Sequence, residues 1–305
     1  MLTRPLRLIA VDVSRWDPSQ ETFNQLLDFV DEPSAVRIKR FRHRSDALRS
    51  LVGRLLPIYV LQHTIPVKTP VEFKLGSHGR PYIATPSTDS PFDYNISHDG
   101  PWVIGAFTFG GKVGVDVMSL DLPDGIESTF DLREALYDQL SPSERTTISL
   151  LANKSSEQPG KREEEERIYL VRLWMYKESL SKLIGLGASL PFSDLSFDLP
   201  PPFDLSSSNQ SRSELAIKIL SVHGSVSRIF PPLSEMMFRE IQLPIVPPQQ
   251  TPSGVVLTTA LIPTLPTTND NGGDNDDYHE RLELIEVEHV ISGVWKSQNG
   301  SSNRT

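Results

Sequence analysis

Two acidic residues far apart in the chain are the strongest candidates for chemistry. Asp116 interrupts an apolar segment at residues 113–118, whose period-two pattern is that of a β-strand. Glu178 lies on a predicted helix, one turn before Lys182 and on the same stripe. A carboxylate in a valine-rich strand is costly to bury unless a cation or hydrogen-bond donors satisfy it. A metal or an arginine would meet this need, and two carboxylates without a histidine or cysteine cluster suit Mg²⁺ better than zinc.

Simpler interpretations of the same residues stay open on the sequence alone. Asp116 also fits a strand-end carboxylate that is bound by backbone amides. Glu178 and Lys182 also fit an exposed helical ion pair, which is common and weak. His98 by itself is more often a hydrogen-bonded structural histidine than a ligand.

Several common catalytic motifs are absent from the sequence. It contains no Walker A loop, no dinucleotide-binding GxGxxG, no GxSxG and no HExxH. These absences argue against nucleotide hydrolysis by the usual routes. The chain also has no cysteine, which excludes disulfides, thiolate nucleophiles and cysteine zinc sites, and which fits a reducing compartment. We therefore expect a cytoplasmic protein.

Length and composition indicate a soluble protein of two modest domains. The 305 residues are 38% hydrophobic, 8% aromatic and 23% charged, which is enough apolar surface for real cores. The net charge of −9 gives no general attraction to nucleic acid or to anionic membranes. A basic segment at residues 37–54 is the exception, but its acidic surroundings argue against nucleic-acid binding. The first residues are too broken by charge for a secretory signal, and no apolar run approaches the ~18 residues of a membrane span.

Periodicity and turn residues predict the elements that position these groups. Strands are predicted at residues 6–13, 71–75, 113–118, 215–222, 254–262 and 282–291, with a hairpin around Asp99-Gly100. Helices are predicted from residue 36 to before Pro66, from a capping box at Ser141 to Leu151, and at residues 168–184. Loops are predicted at residues 153–166, 200–202, 244–252 and 263–277, the first and last as flexible insertions. This order predicts two α+β halves, residues 1–110 and 111–305.

Three ordered motifs together resemble the signatures of the 4′-phosphopantetheinyl transferase superfamily. They are Asn95-Ile96-Ser97-His98, Val113-Gly114-Val115-Asp116-Val117-Met118 and Trp174-x-x-Lys177-Glu178-Ser179-x-x-Lys182. Arg37-Ile38 with the later Asp46-Ala47, and Gly79-Arg80-Pro81, are similar to the family's coenzyme-binding helix start and turn. The resemblance covers residues 37–262 and is to the larger monomers, of the surfactin-synthetase-activator and eukaryotic aminoadipate-semialdehyde-dehydrogenase transferase kinds. It implies an α+β fold of two similar subdomains in a pseudo-two-fold pair, each a small antiparallel sheet packed with a long helix.

The resemblance also implies an activity and a site. Members transfer the phosphopantetheine arm of coenzyme A to a serine of an apo acyl or peptidyl carrier protein and release adenosine 3′,5′-bisphosphate. By this likeness Asp116 and Glu178 would hold Mg²⁺, and Glu178 would also act as general base, directly or through a water. The other two catalytic residues would be Lys182, which would neutralise phosphate charge, and His98, which would donate to a phosphate of the coenzyme. The implied coenzyme A-binding residues are Arg37, Lys74, Gly79, Arg80, Asn95, Ser97, His98 and Lys182. The carrier would be a domain of a fatty-acid synthase, an aminoadipate reductase or a polyketide or peptide synthetase, and the enzyme a monomer.

The sequence departs from the family pattern at two positions. Met118 stands where many members have a second carboxylate, and a thioether is a poor ligand for Mg²⁺, so a water would fill that position. Methionine occurs there in the eukaryotic aminoadipate-type relatives as well. Arg80 replaces the lysine of the turn and keeps the charge. Met118 leaves open an alternative function, a non-catalytic protein that binds coenzyme A or a carrier and has lost the metal chemistry.

Overall fold

The computed structural model of the chain describes residues 6–64, 71–85, 92–153, 159–199, 218–222, 236–247, 252–261 and 281–299. The helices are α1 (Gln20–Leu27), α2 (Glu32–Lys39), α3 (Arg44–Thr64), α4 (Thr129–Leu136), α5 (Pro142–Ala152), α6 (Pro159–Ile184) and α7 (Val287–Asn299). Short 3₁₀ turns lie at Tyr137–Gln139, Gly187–Ser189 and Phe192–Asp194. The strands are β1 (Arg7–Asp12), β2 (Glu72–Leu75), β3 (Pro81–Thr85), β4 (Phe92–Asp99), β5 (Trp102–Phe109), β6 (Gly111–Ser119), β7 (Leu195–Asp198), β8 (Lys218–Val222), β9 (Met236–Gln242), β10 (Ser253–Leu261) and β11 (Arg281–Leu284).

The chain divides into two compact units, and the predicted α+β class is confirmed. The first unit is formed by described residues of 1–113 and 261–299, and the second by described residues of 114–260. The predicted boundary at residue 110 lies three residues from this division. The predicted second domain was wrong in one respect, because the C-terminal strand and helix belong to the first unit.

The first unit is built on a sheet in the order β11-β1-β5-β4. β5 pairs antiparallel with both β1 and β4, and the predicted hairpin is confirmed by the register that sets Asp99 opposite Trp102. β11 adds a parallel strand beside β1, which the predicted antiparallel sheet did not include. The sheet packs against α3, whose apolar stripe is fully buried. The residues that fill this core include Ile9, Val11, Leu51, Leu55, Val103, Phe107 and Val290.

The single helix predicted from residue 36 is two helices. Asp31 caps α2 by accepting a hydrogen bond from the Ser34 amide. The helix ends at Lys39, where the Arg40 amide donates to the Arg37 carbonyl in a tighter turn. The apolar positions keep their spacing across the break, and this is why periodicity alone did not reveal it.

The C-terminal segment was predicted as one strand over residues 282–291, which is wrong in its second half. Only β11 is extended, and α7 then packs on α3. Trp295 of α7 also meets Phe29, which lies between α1 and α2, with ring centroids 5.6 Å apart. Val287, Val290 and Val294 are buried at helical spacing. The short apolar run fits both the two-residue period of a strand and the 3.6-residue period of a helix, and it is too short for its length to distinguish the two.

The second unit contains a three-stranded sheet in the order β6-β10-β9, with β10 and β9 antiparallel, and a separate β7–β8 pair. The capped helix predicted from Ser141 is confirmed as α5 with a complete capping box. The predicted loop at residues 153–166 is wrong from residue 159 onward, because α6 begins at Pro159. Glu166 anchors this polar part of the helix by accepting a 3.0 Å bond from Arg133.

Other predictions meet the described part of the chain only in places. β8 and β10 match the predicted strands at residues 215–222 and 254–262 where they are described. The predicted loops at 200–202 and 263–277, and residues 248–251 of the loop at 244–252, lie outside the described residues. Within the described part, no helix combines the length and the apolar character that crossing a bilayer requires.

We expect Gly114→Ala to destabilise the second unit. A Cβ at this position would lie 2.1 Å from the Ser179 carbonyl oxygen and 2.6 Å from the Leu183 amide nitrogen. These are backbone atoms of α6, so the helix must move away from β6, at a cost of about 1–3 kcal/mol or more. Denaturant unfolding measures this loss. Gly160→Ala is the matched control, since its Cβ would meet no described atom within 4 Å; equal stability of the two variants would contradict the close approach.

Candidate active site

Asp116 lies in the middle of β6 and is 5% exposed. The flanking Val115 and Val117 are buried, as the strand pattern predicts. The Asp116 Oδ1 atom accepts a hydrogen bond from Lys182 Nζ at 2.6 Å. The carboxylate therefore has a cationic partner, which compensates the cost of burying it.

Glu178 is held near the same pair by the packing of α6 on β6. The next residue, Ser179, donates a 3.2 Å hydrogen bond to the Gly114 carbonyl, two residues before Asp116. The Glu178 side chain is half-buried. Burial raises the pKa of Glu178, the negative charge of Asp116 raises it further, and Lys182 lowers it. Asp116, Glu178 and Lys182 thus form one interacting group, which we call the carboxylate cluster.

The carboxylate cluster suits a divalent cation. Two carboxylates face one ammonium group, and their mutual repulsion is part of what raises the pKa of Glu178. Oxygen ligands of this kind are those that Mg²⁺ takes, usually through one or two carboxylates with waters and substrate phosphates in addition. Met118 is partly buried against the apolar core of this unit. In the described part of the chain no three acidic or histidine side chains form a metal-binding group.

Buried ion pairs fix the helix that carries Glu178 and Lys182. The Lys177 ammonium is fully buried and donates to Glu144 Oε2 at 2.6 Å and to three backbone carbonyls. Arg172, one and a half turns earlier, makes two bonds of 2.7 and 2.8 Å to the buried carboxylate of Glu240. These pairs tie α6 to α5 and β9, so the face with Glu178 is held toward β6.

Sequence reasoning missed these anchoring residues. Lys177 stood inside the Trp-x-x-Lys-Glu-Ser motif without a role of its own. Glu144 belongs to the capping box at Ser141, which predicted only the start of a helix. The helical period gives one indication that Lys177 has a different role from Glu178. Consecutive residues of a helix lie about 100° apart around its axis, so Lys177 faces other neighbours than Glu178 does. The partners Arg172 and Glu240 have no sequence signal, since they lie 68 residues apart.

Other predicted site residues lie on β4 in the first unit. His98 is exposed near the end of this strand, and Asn95 and Ser97 are buried on it. The strand alternation places Asn95 and Ser97 on the face opposite to Tyr94, which packs into the core with α3. The contacts of Asn95, Ser97 and His98 with coenzyme A stay predictions.

The predicted turn is formed at Gly79 and Arg80. Gly79 has φ of 82°, a conformation that favours glycine. Arg80 donates to Asp93 Oδ2 at 2.6 Å and to the Val113 carbonyl at 2.8 Å, so its guanidinium also holds the fold together. Lys74 lies on β2, exposed, with Nζ 3.6 Å from Glu72 Oε1.

Arg37 is exposed in the last turn of α2. Partial desolvation lowers the pKa of Arg37, and the positive charge of Arg54 on α3 lowers it further. The structure brings together Asp116, Glu178 and Lys182 in the second unit, and it places the remaining predicted residues in the first.

Comparison of the sequence with known proteins identifies the family of this chain. Residues 14–109 match the family model described as 4′-phosphopantetheinyl transferase, N-terminal, and residues 112–221 match that of the 4′-phosphopantetheinyl transferase superfamily. The 4′-phosphopantetheinyl transferase pptA of Paxillus involutus is 31% identical over 203 residues, which are 64% of this chain and 74% of the relative. The chain belongs to the 4′-phosphopantetheinyl transferase superfamily. The resemblance found in the sequence is thereby confirmed.

Relatives of this transferase-family chain come from bacteria and animals as well. The 4′-phosphopantetheinyl transferase ffp of Bacillus subtilis is 32% identical over 59% of this chain and 71% of the relative. The L-aminoadipate-semialdehyde dehydrogenase-phosphopantetheinyl transferase of Xenopus laevis is 27% identical over 63% of this chain and 61% of the relative. The two tandem family matches agree with the predicted pair of α+β subdomains.

Titration of Glu178 tests the electrostatics of the carboxylate cluster. In protein without divalent cation, we expect the pKa of Glu178 to lie above its ordinary 4.5. Asp116→Asn should lower this pKa by removing a like charge, and Lys182→Met should raise it by removing the ammonium. Carbon-13 NMR of the glutamate carboxyls measures each value.

The raised pKa of Glu178 has a consequence for stability. The folded state holds this proton more tightly than the unfolded chain, so the stabilisation is complete below the ordinary pKa and is lost as pH rises through the folded value. The free energy of unfolding should fall less steeply with rising pH in Asp116→Asn than in the wild type. A Glu178 pKa at or below 4.5, or one that Asp116→Asn leaves unmoved, would contradict the proximity of the two carboxylates.

Proposed function

We propose that this protein transfers 4′-phosphopantetheine from coenzyme A to a serine hydroxyl of an apo carrier protein. The observation that carries the proposal is the convergence of Asp116, Glu178 and Lys182 in a chain of this family. In the reaction the serine oxygen forms a bond to the phosphorus that bears the pantetheine arm. The bond from that phosphorus to the bridging oxygen breaks, and adenosine 3′,5′-bisphosphate leaves with that oxygen.

Asp116 and Glu178 would hold Mg²⁺, which when bound neutralises charge on the pyrophosphate. Glu178 would also take the proton of the serine hydroxyl, directly or through a water. Removal of a proton by a positioned carboxylate in this way is general base catalysis. Lys182 Nζ lies beside the Asp116 carboxylate and would donate to phosphate oxygens.

Residues of the first unit would bind the coenzyme. We assign the adenine and 3′-phosphate end to Arg37 and Arg80, together with Lys74, and a contact with a phosphate of the coenzyme to His98. Guanidinium groups suit phosphate oxygens because their donors form a planar fork. Arg80 already pairs with Asp93, so the neighbouring carboxylate would reduce the charge that it offers a ligand.

Purified protein with coenzyme A, Mg²⁺ and an unmodified carrier should add the mass of one phosphopantetheine arm to the carrier. Intact-mass spectrometry over a panel of carriers from fatty-acid synthase, aminoadipate reductase and peptide synthetases measures this and identifies the partner. A chelator should stop the reaction, and added Mg²⁺ should restore it. A carrier whose target serine is replaced by alanine is the control.

The alternative is a non-catalytic protein that binds coenzyme A or a carrier, and the packing of Met118 into the core favours testing it. Calorimetry separates the two functions. Binding of coenzyme A that does not respond to Mg²⁺, together with unchanged mass for every carrier, would replace the transferase with this alternative.

A further inference from the structure

Asp93 on β4 joins three segments of the first unit through a single oxygen atom. Its Oδ2 atom accepts a 2.6 Å hydrogen bond from Arg80 Nη2 and a 2.8 Å bond from the Val113 amide. Arg80 Nη2 also donates to the Val113 carbonyl at 2.8 Å. These bonds link the turn before β3, the strand β4 and the start of β6, and we call the three residues the Asp93 network.

The Asp93 network holds a charged pair with little access to water. The Arg80 and Asp93 side chains are 16% and 21% exposed. Burial raises the pKa of Asp93, whereas the charge of Arg80, the Val113 amide and the charge of Lys112 lower it. Two donors at one oxygen, one of them a guanidinium, are the partners of an ionised carboxylate. A fixed negative charge therefore lies beside the Arg80 cation.

This negative charge opposes the binding of anions at Arg80. The energy between two charges falls only as the inverse of their distance, and water weakens it less where both charges are largely buried. An anion that contacts the guanidinium is therefore repelled by the Asp93 carboxylate while it is attracted by the cation. The geometry makes Asp93 a residue that weakens phosphate binding rather than one that provides it.

Weaker binding has a use in the proposed reaction, because substrate and product share a phosphate. Coenzyme A carries its 3′-phosphate at the adenosine end, and adenosine 3′,5′-bisphosphate leaves with that group unchanged. A contact that holds this end of the substrate tightly therefore also holds the product tightly. Release of product limits turnover in many enzymes. A carboxylate that lowers this affinity would speed the release.

We propose that Asp93 sets the affinity of the protein for the phosphates at the adenosine end of coenzyme A, and that its charge speeds release of the bisphosphate product. The inference rests on the proposed function in that Arg80 is taken to contact these phosphates. It adds a residue that none of the sequence motifs contains. Its effect has the sign opposite to that of a phosphate ligand, because removal of the Asp93 charge tightens binding.

Asp93→Asn separates the charge from the hydrogen bonds, because both bonds that Asp93 accepts from described residues end on Oδ2. An amide oxygen in that position can accept both. The dissociation constant of adenosine 3′,5′-bisphosphate should fall about threefold to tenfold at low ionic strength, and the gain should shrink as salt is added. Calorimetry measures this without turnover. Inhibition of transfer by the bisphosphate should strengthen by the same factor.

Asp28→Asn is the matched control, since Asp28 is an exposed carboxylate of the same unit at the end of α1. It deletes the same charge outside the Asp93 network. The dissociation constant should change by less than about twofold, because water and salt screen an exposed charge. Equal gains in Asp28→Asn and Asp93→Asn would show a general effect of net charge and would overturn the proposal. Unchanged or weaker binding in Asp93→Asn would also overturn it, since a merely structural carboxylate gives that result.

A second variant decides if Asp93→Asn does not fold, as judged by circular dichroism. Asp93→Ser also removes the charge, and its hydroxyl can still accept a hydrogen bond, so unchanged or weaker binding of the bisphosphate refutes the role of Asp93. If the wild type transfers the arm but the Asp93 variants bind the bisphosphate no more tightly, only this inference fails. If the wild type transfers nothing to any carrier, the proposed function fails, and calorimetry with the bisphosphate still tests Asp93.

Discussion

Asp116→Asn and Glu178→Gln are each expected to lower the rate of phosphopantetheine transfer by about a thousandfold or more. The loss of one group that stabilises charge in the reacting complex costs about 10²–10³ in kcat, and loss of a metal ligand acts in addition on binding of the ion. Both substitutions keep the size of the side chain and remove only the negative charge. Rates under conditions of saturating coenzyme A and carrier measure the effect.

Neither substitution should damage the fold. Glu178→Gln removes a half-buried carboxylate whose ionisation both burial and Asp116 oppose, so we expect equal or slightly greater stability near neutral pH. Asp116→Asn leaves the Lys182 ammonium without its 2.6 Å partner, but this side chain is 27% exposed and reaches water. Circular dichroism and thermal unfolding should therefore stay close to the wild type.

Glu163→Gln is the matched control for these variants, because Glu163 is an exposed carboxylate on the same helix. It should retain full turnover. If Asp116→Asn and Glu178→Gln both keep wild-type rates, the carboxylate cluster is not the catalytic centre, and the assignment of both metal ligands is withdrawn.

The sequence alone predicted most of what is local in this molecule. The alternation around Asp116 and the i, i+4 spacing of Glu178 and Lys182 are properties of one strand and one helix, and each was visible in a few residues. The capping box at Ser141 was equally local, and α5 begins where it predicts. Predictions of this kind succeed because backbone geometry fixes which side chains share a face.

What the sequence did not show depends on contacts between distant segments. β11 returns to β1 through parallel backbone pairing and the Arg7–Glu283 ion pair, whose members are 276 positions apart. The ion pair between Lys182 and Asp116 spans 66 positions, and spacing within α6 gave no hint of that partner. The polar start of α6 resembled a loop because it lacks an apolar stripe, and its anchor at Arg133 is again a tertiary contact.

Lys177→Met is expected to destabilise the second unit by about 3–5 kcal/mol, because it leaves the carboxylate of Glu144 buried without its cation. Both side chains are 1% exposed, so water cannot replace the lost partner. Glu144 would keep its hydrogen bonds from the Ser141 and Phe197 amides, which limits the loss. Denaturant unfolding followed by tryptophan fluorescence, which includes Trp174 beside Lys177, measures the change.

The double variant Glu144→Gln, Lys177→Met separates two roles of the ion pair. Either the pair stabilises the fold, or the fold is destabilised only when one partner is removed and the other stays buried. Burial lowers the pKa of Lys177 although Glu144 opposes that shift, so desolvation outweighs the attraction. We therefore expect the double variant to be more stable than Lys177→Met alone by about 1–3 kcal/mol, since the uncharged glutamine side chain can still accept a hydrogen bond from the backbone amides. The rate of phosphopantetheine transfer per folded molecule should stay near that of the wild type. The Lys177 ammonium is buried and bonds to Glu144 and to three backbone carbonyls of the same unit. A double variant that is no more stable than Lys177→Met would contradict this expectation, and a rate loss without unfolding would place Lys177 in the chemistry.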